Sequence, residues 1–155
     1  MYKMWGYSLM NDLRIYFKKL SDKAKIPEYS KCGDACCDLT VIEGYTIKPG
    51  DIILARTGFA MAMPEGFEAQ IRPRSGLAFK GLTIVNSPGT VDSGYRGEIK
   101  IIFTNLGKTV ISIKEGDRVA QMKFAAVYTG NFLDIGDNKL EDTERGSSGF
   151  GSTGF

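Results

Sequence analysis

The stretch Phe67-Glu68-Ala69-Gln70-Ile71-Arg72-Pro73-Arg74-Ser75-Gly76-Leu77-Ala78 decides the fold class. From Phe67 to Arg72 apolar and polar side chains alternate, the period of a half-buried strand whose successive residues face opposite ways. Pro73 then removes a backbone donor, and Ser75 to Lys80, ahead of Gly81, is the one short helical candidate. The same alternation recurs in Leu13-Arg14-Ile15-Tyr16-Phe17 and in Val110-Ile111-Ser112-Ile113, while helical periodicity is nearly absent. Turn signals fall at short intervals: Lys48-Pro49-Gly50-Asp51, Met63-Pro64-Glu65-Gly66, Ser87-Pro88-Gly89, Asn105-Leu106-Gly107 and Glu115-Gly116-Asp117. Strands so short and so evenly interrupted predict an all-β sandwich or barrel.

The 155 residues suffice for one globular core and are short for two. No histidine is present, which excludes Ser-His-Asp and Cys-His nucleophile pairs, H-E-x-x-H zinc sites and an imidazole base. A catalytic proton acceptor must then be a carboxylate, Lys, Tyr or thiolate. The formal charge of +2, from 20 basic and 18 acidic residues, is too balanced for a duplex nucleic-acid or anionic-membrane footprint. No apolar run approaches the ~20 residues of a membrane span. The first ten residues, MYKMWGYSLM, lack the pattern of a secretory signal. The expected location is intracellular and cytoplasmic, with the nucleus open to a eukaryotic or viral protein. Cys32, Cys36 and Cys37 are too few and too clustered for a disulfide framework, and they read as small thiols of a reducing compartment.

The chain divides into a leading segment, residues 1–12, a β core, residues 13–128, and a Gly/Ser/Asp-rich arm, residues 129–155. Two phosphate motifs mislead. Gly107-Lys108-Thr109 ends like a Walker A loop, but the required earlier glycine is Ile102. The arm holds a literal G-x-G-x-x-G, Gly149 to Gly154, but the chain stops one residue later, where a dinucleotide site needs a helix.

Three segments have local chemistry suited to anions or planar ligands. Arg74 and Ser75 precede the helical candidate, where free amides, a hydroxyl and a guanidinium suit a phosphate oxygen. Asn86 to Ile99 carries two turn clusters around Thr90-Val91-Asp92, predicting a hairpin whose backbone faces a planar ligand, with Tyr95 three residues on. In the arm, glycine amides, Ser152, Thr153 and the Arg145 fork can turn toward an anion. Singly, each has an ordinary reading as a Ser N-cap, a common turn or a solvated tail.

Together and in order these segments resemble the trimeric deoxyuridine triphosphate nucleotidohydrolase (dUTPase) family. The five motifs are Ala35-Cys36-Cys37-Asp38-Leu39, then Pro73 to Ala78, Asn86 to Gly97, Arg118-Val119-Ala120-Gln121-Met122 and Arg145 to Gly154. Two positions depart from the family's usual glycine, Cys36 and Ser148. The dCTP deaminase branch shares the core, but PRSGLA, GTVDSGYRG and the complete arm motif favour the hydrolase.

The resemblance implies a jelly-roll-like distorted β-barrel or sandwich, assembled as a homotrimer whose C-terminal arm reaches a neighbour. Some 25 arm residues at ~3.3 Å each extend about 80 Å. It implies hydrolysis of dUTP to dUMP and pyrophosphate by Mg²⁺-assisted attack of water on the α-phosphorus, lowering dUTP and supplying dUMP for thymidylate synthesis. Asp92 corresponds to the residue that orients and deprotonates the water, and Asp38 to the carboxylate holding Mg²⁺ through water. Arg74, Ser75, Gly76, Gln121, Arg145, Gly151 and Ser152 correspond to phosphate-side residues. Asn86, Gly89, Thr90 and Val91 correspond to the uracil slot, Tyr95 to the ring stacked on deoxyribose and Phe150 to the aromatic cover. Lys100 completes the substrate-binding set. No nucleic-acid or membrane partner is implied.

Overall fold

A computed structural model describes residues 13–149. Among the described residues eleven strands form four antiparallel sheets, with one helical turn between the sixth and seventh strands. In order along the chain these are β1 (Tyr16–Lys19), β2 (Cys37–Thr40), β3 (Tyr45–Ile47), β4 (Ile52–Arg56), β5 (Phe59–Ala62), β6 (Phe67–Pro73), α1 (Ser75–Ala78), β7 (Leu82–Ile84), β8 (Gly89–Asp92), β9 (Lys100–Asn105), β10 (Ile111–Ile113) and β11 (Arg118–Ala126).

The largest sheet has the order β2-β11-β6-β8, a second is β4-β9-β7, and β1-β5 and β3-β10 form two-stranded pieces. Alternation places Cys37, Leu39, Ala69, Ile71 and Met122 inward from the first sheet. From the second, Ala55, Leu82, Ile84, Ile101 and Phe103 meet them in one apolar cluster. Burying each large side chain contributes roughly 1.5–3 kcal/mol, so the two inner faces hold the sheets together. The Phe17 and Phe59 rings, 5.3 Å apart in a T-shaped pair between β1 and β5, join that core, Phe59 as part of the cluster and Phe17 packed against it. The sandwich form is found, and among the described residues the sheets do not close into a barrel.

The strand at Phe67 to Arg72 is present as β6 and that at Val110 to Ile113 as β10, but Leu13 to Ile15 precede the first pairing, which starts at Tyr16 opposite Ala62. The helix stops at Ala78, two residues short of the predicted Lys80. Gly81 has a left-handed φ of 94°, and Leu106 N–H donates to its carbonyl (2.8 Å). A Cβ on Gly81 would lie 2.6 Å from Gly107 Cα, and one on Gly107 would lie 2.7 Å from the Lys80 carbonyl oxygen. The chain leaving α1 is thus packed backbone against backbone on the β9–β10 turn, the segment that imitates a Walker A end.

The predicted hairpin around Thr90 is not self-paired. β7 joins β9, with Ile84 opposite Phe103, whereas β8 joins β6, with Asp92 opposite Glu68 and Gly89 opposite Ile71. The four residues between them carry the chain from one sheet to the other. β8 is consequently an edge strand, with part of its backbone unpaired by any neighbour in the sheet. Residues 127–149 contain no strand or helix, and no described helix is long and apolar enough to cross a membrane.

Candidate active site

The outer face of the four-stranded sheet is polar because alternation turns out every residue that does not face the core. Its cross-strand rows read Asp38, Gln121, Arg72, then Lys123, Gln70, Thr90, then Ala125, Glu68, Asp92. At one end, Asp38 on β2 lies directly opposite Gln121 on β11. Arg74, just beyond β6, forms an ion pair from Nε to Asp38 Oδ1 (2.9 Å) and donates from Nη1 to the Arg118 carbonyl (2.7 Å). Arg118 Nη1 donates to Asp38 Oδ2 (3.1 Å), and Gln121 Nε2 donates to the Pro73 carbonyl (2.8 Å). Both oxygens of Asp38 therefore lie within ion-pair distance of guanidinium groups.

Ser75 is the first residue of α1, not its cap. The N-cap is Arg74, whose carbonyl accepts from Leu77 and Ala78 N–H, and no side chain caps the turn. The Ser75 hydroxyl and the first-turn amides of Ser75 and Gly76 remain available to a ligand. Together with Asp38, Arg74, Gln121 and Cys36, Ser75 lines an open cavity of about 320 Å³. Asp38, Arg74 and Arg118 carry a combined charge of +1, suited to an anion.

Arg118 lies three residues before Gln121, the parity of opposite strand faces. A register shift between Arg118 and Ala120 restores it to Asp38's side, and the consecutive burial of Val119 and Ala120 accompanies that shift. The fourth motif contains Arg118, but strand parity alone places it on the opposite face from Gln121, and nothing in the local sequence signals the bulge.

Asp92 lies elsewhere. It lines a separate recess of about 340 Å³ with Gly66, Phe67, Glu68, Ser93, Val127 and Thr129. From Asp38 it is four residues along the sheet and three strands across, a diagonal of roughly 20 Å at ~3.3 Å per residue and ~4.8 Å per strand. Arg74, six residues beyond Glu68 on the neighbouring strand, is likewise about 20 Å away. Asn86 lies beside Gly89, its Nδ2 3.3 Å from where a Cβ would stand. Thr90 is exposed and Val91 half-buried. Tyr95, after the turn, donates from Oη to the Glu98 carbonyl (3.1 Å). Lys100 opens β9, its Nζ 4.0 Å from Glu98 Oε2.

Arg145 is exposed, and its Nε donates to the Ser148 carbonyl (3.1 Å). The left-handed backbone of this stretch falls at Gly146 (φ 49°), and near the first motif at Gly33 (φ 89°). Phe150, Gly151 and Ser152 lie outside the described residues, as does the leading segment. Cys36 is half-buried and Cys37 buried, its thiol donating to the Met122 carbonyl (3.4 Å). Burial pushes the Cys37 thiol up to about 11.

The β-sandwich thus presents a positively charged recess around Asp38, Arg74 and Ser75 suited to an anion, with a second carboxylate, Asp92, on an edge strand. The dUTPase family model matches residues 22–154. The deoxyuridine 5′-triphosphate nucleotidohydrolase of Clostridioides difficile is 48% identical over 139 residues, covering 89% of this chain and 96% of that protein. That of Rickettsia bellii is 50% identical over 149 residues, covering 94% and 98%. The dUTPase of Staphylococcus bacteriophage 80alpha, solved with dUpNHpp, superposes with a TM-score of 0.85 at 25% identity, covering 92% and 99%. The chain belongs to the dUTPase family, and its activity is that of a dUTP diphosphatase.

Proposed function

We propose that the protein hydrolyses dUTP to dUMP and pyrophosphate at sites completed by three copies of the chain. The observation that carries this reading is the separation of about 20 Å between Asp92 and the Asp38–Arg74 pair on one sheet face. Reacting atoms must align at about 3–3.5 Å, and a backbone separation this large on one rigid sheet face favours delivery of the two groups to one α-phosphorus by different chains. Two further features favour assembly. The outer face of β4-β9-β7 leaves Ile52 and Leu54 uncovered, 66% and 53% exposed, with Val85 nearby. In the arm, Phe132 and Leu133 are 95% and 77% exposed. A homotrimer with the Asp38 cavity from one copy, β8 from a second and the arm from a third satisfies all of these.

In the reaction a water oxygen bonds to the α-phosphorus, the bond from that phosphorus to the bridging oxygen breaks, and pyrophosphate leaves with the electron pair. Asp92 aligns the water and accepts its proton. Its main contribution is alignment of the water on the α-phosphorus. Arg74 offers its guanidinium to the phosphate chain, and its contacts with Asp38 and Arg118 fix that group before substrate arrives, so little reorganisation is needed. Ser75, Gly76 and Gln121 line the same path, and Arg145, Gly151 and Ser152 close over the phosphates from the arm.

The side chains present offer Mg²⁺ no direct cage: both Asp38 oxygens are ion-paired with Arg74 and Arg118, and no cluster of three metal-ligating side chains lies among the described residues, so an ion here would be held through water, with Asp38 in its outer shell and the triphosphate supplying the direct oxygens. When bound there, the ion neutralises charge on the triphosphate.

The unpaired edge of β8 from Gly89 to Val91, with the Asn86 amide, reads the uracil edge. Phe150 covers the base, Tyr95 stacks on the deoxyribose, and Lys100 stands beside the substrate. Pairing polar groups to a base edge rejects the wrong base strongly, because a mismatch leaves buried donors unpaired. Pyrophosphate release measured with Mg²⁺ on dUTP, dTTP, dCTP and UTP tests the reading. Turnover confined to dUTP is expected, and equal turnover of dCTP or UTP overturns it.

A further inference from the structure

The turn from Asp92 to Glu98 is built around the Tyr95 ring. Tyr95 N–H donates to the Asp92 carbonyl (3.1 Å), and Arg96 Nη1 donates back to the carbonyls of Ser93 (2.6 Å) and Tyr95 (2.9 Å). At its far end the phenol donates to the Glu98 carbonyl. Glu98 is itself fixed, since its carboxylate accepts from Arg56 Nε (3.1 Å) and Gly58 N–H (2.9 Å) on the β4–β5 turn. Between these anchors the ring rests on Gly97. A Cβ there would stand 2.6 Å from Tyr95 Cζ and 3.1 Å from Cε2, and closer still to Oη. Gly97 has no left-handed φ, so its lack of a side chain serves the ring and not the backbone. The rest of the ring stays open, Tyr95 being 47% exposed.

We propose that Gly97 and Arg96 are positioning residues that set the height and tilt of the Tyr95 ring against the substrate sugar, and so set how strongly a ribonucleotide is refused. The inference rests on the stacking role given to Tyr95 above. Arg96 fixes the backbone from which the ring departs, and Gly97 provides the seat on which its phenol end lies. A methyl group on the seat lifts the ring and alters the gap that a 2′-hydroxyl must enter, while Asp92 and the phosphate side are left as they are.

The test is a double-mutant cycle read as the ratio of kcat/KM for dUTP to that for UTP, on the assembled full-length protein. Gly97→Ala is expected to lower the ratio by about tenfold, chiefly through faster UTP turnover. Tyr95→Ala lowers it too, and adding Gly97→Ala to Tyr95→Ala changes nothing further, because the glycine acts only through the ring. An unaltered ratio in Gly97→Ala, with Tyr95→Ala lowering it, overturns the proposal. So does a further fall in the double variant. An unaltered ratio in Tyr95→Ala refutes the stacking role beneath it instead. If Gly97→Ala fails to assemble by size-exclusion chromatography, Arg96→Met is run through the same cycle, with the same outcomes for and against.

Discussion

If each site is divided between chains, two inactive variants will repair one another. Asp92→Asn removes the carboxylate proposed to align the water, and Arg74→Gln the guanidinium proposed to hold the phosphates, about 20 Å away on the same chain. A site then works only when its Asp38 cavity comes from an Asp92→Asn chain, which still has Arg74, and its β8 from an Arg74→Gln chain, which still has Asp92. When equal amounts are unfolded and refolded together into random trimers, the chance is one half for each contribution. About one quarter of the sites should be intact, so the mixture should regain about 25% of wild-type kcat per site. The assay is pyrophosphate release from dUTP, with each variant refolded alone as the control. A mixture no more active than its parents would show that both groups serve one site from one chain, and the divided-site reasoning would fail.

Other outcomes follow from the same geometry. Asp92→Asn alone should keep KM for dUTP within a few-fold and lower kcat by about a hundredfold or more, and near-normal kcat would remove Asp92 from its role. Ending the chain after Lys139 should abolish most turnover while light scattering still reports a trimer, whereas a fully active truncation would exclude the arm from the site. The Cys37 thiol is raised from 9.0 to about 11 by burial, so the folded state favours its protonated form. That contribution is complete below about pH 9 and is lost as pH rises toward 11, up to about 2–3 kcal/mol at ~1.4 kcal/mol per unit. Melting temperatures of wild type and Cys37→Ser should therefore converge between pH 9 and 11, and a constant gap would refute the burial argument.

The sequence reported best what is local. The alternation of Phe67 to Arg72 is β6 because one face must meet the core and the other cannot, and the five turn signals bend the chain where glycine and proline permit it. It reported less well what depends on distant partners. Turn clusters on both sides of Thr90 show where the backbone reverses. They do not show that Ile84 will be claimed by Phe103 and Gly89 by Ile71, pairings set by which sheet edges stand open. Arg118 was hidden for a related reason, since one extra residue in β11 reverses the parity on which strand reading depends. The motifs singled out Asp38, Arg74 and Asp92 as candidates. Their order gave no hint of the distance between them on a single chain, because a register is a property of paired strands.

The backbone contact between Gly81 and Gly107 bears on how the protein can be engineered. Leu106 to Lys108 forms an exposed turn, the kind of place chosen to graft a tag, a fluorophore loop or an epitope. Here the turn is also a spacer. Leu106 N–H holds the Gly81 carbonyl, and any side chain at position 107 would meet the Lys80 carbonyl oxygen. A graft at that tip would push on the exit of α1 and, one helical turn back, on Ser75 and Arg74. The Lys48–Asp51 turn, where a Cβ on Gly50 would meet nothing within 4 Å, leaves more room for an insertion, provided Gly50 itself, at a left-handed φ of 84°, is kept.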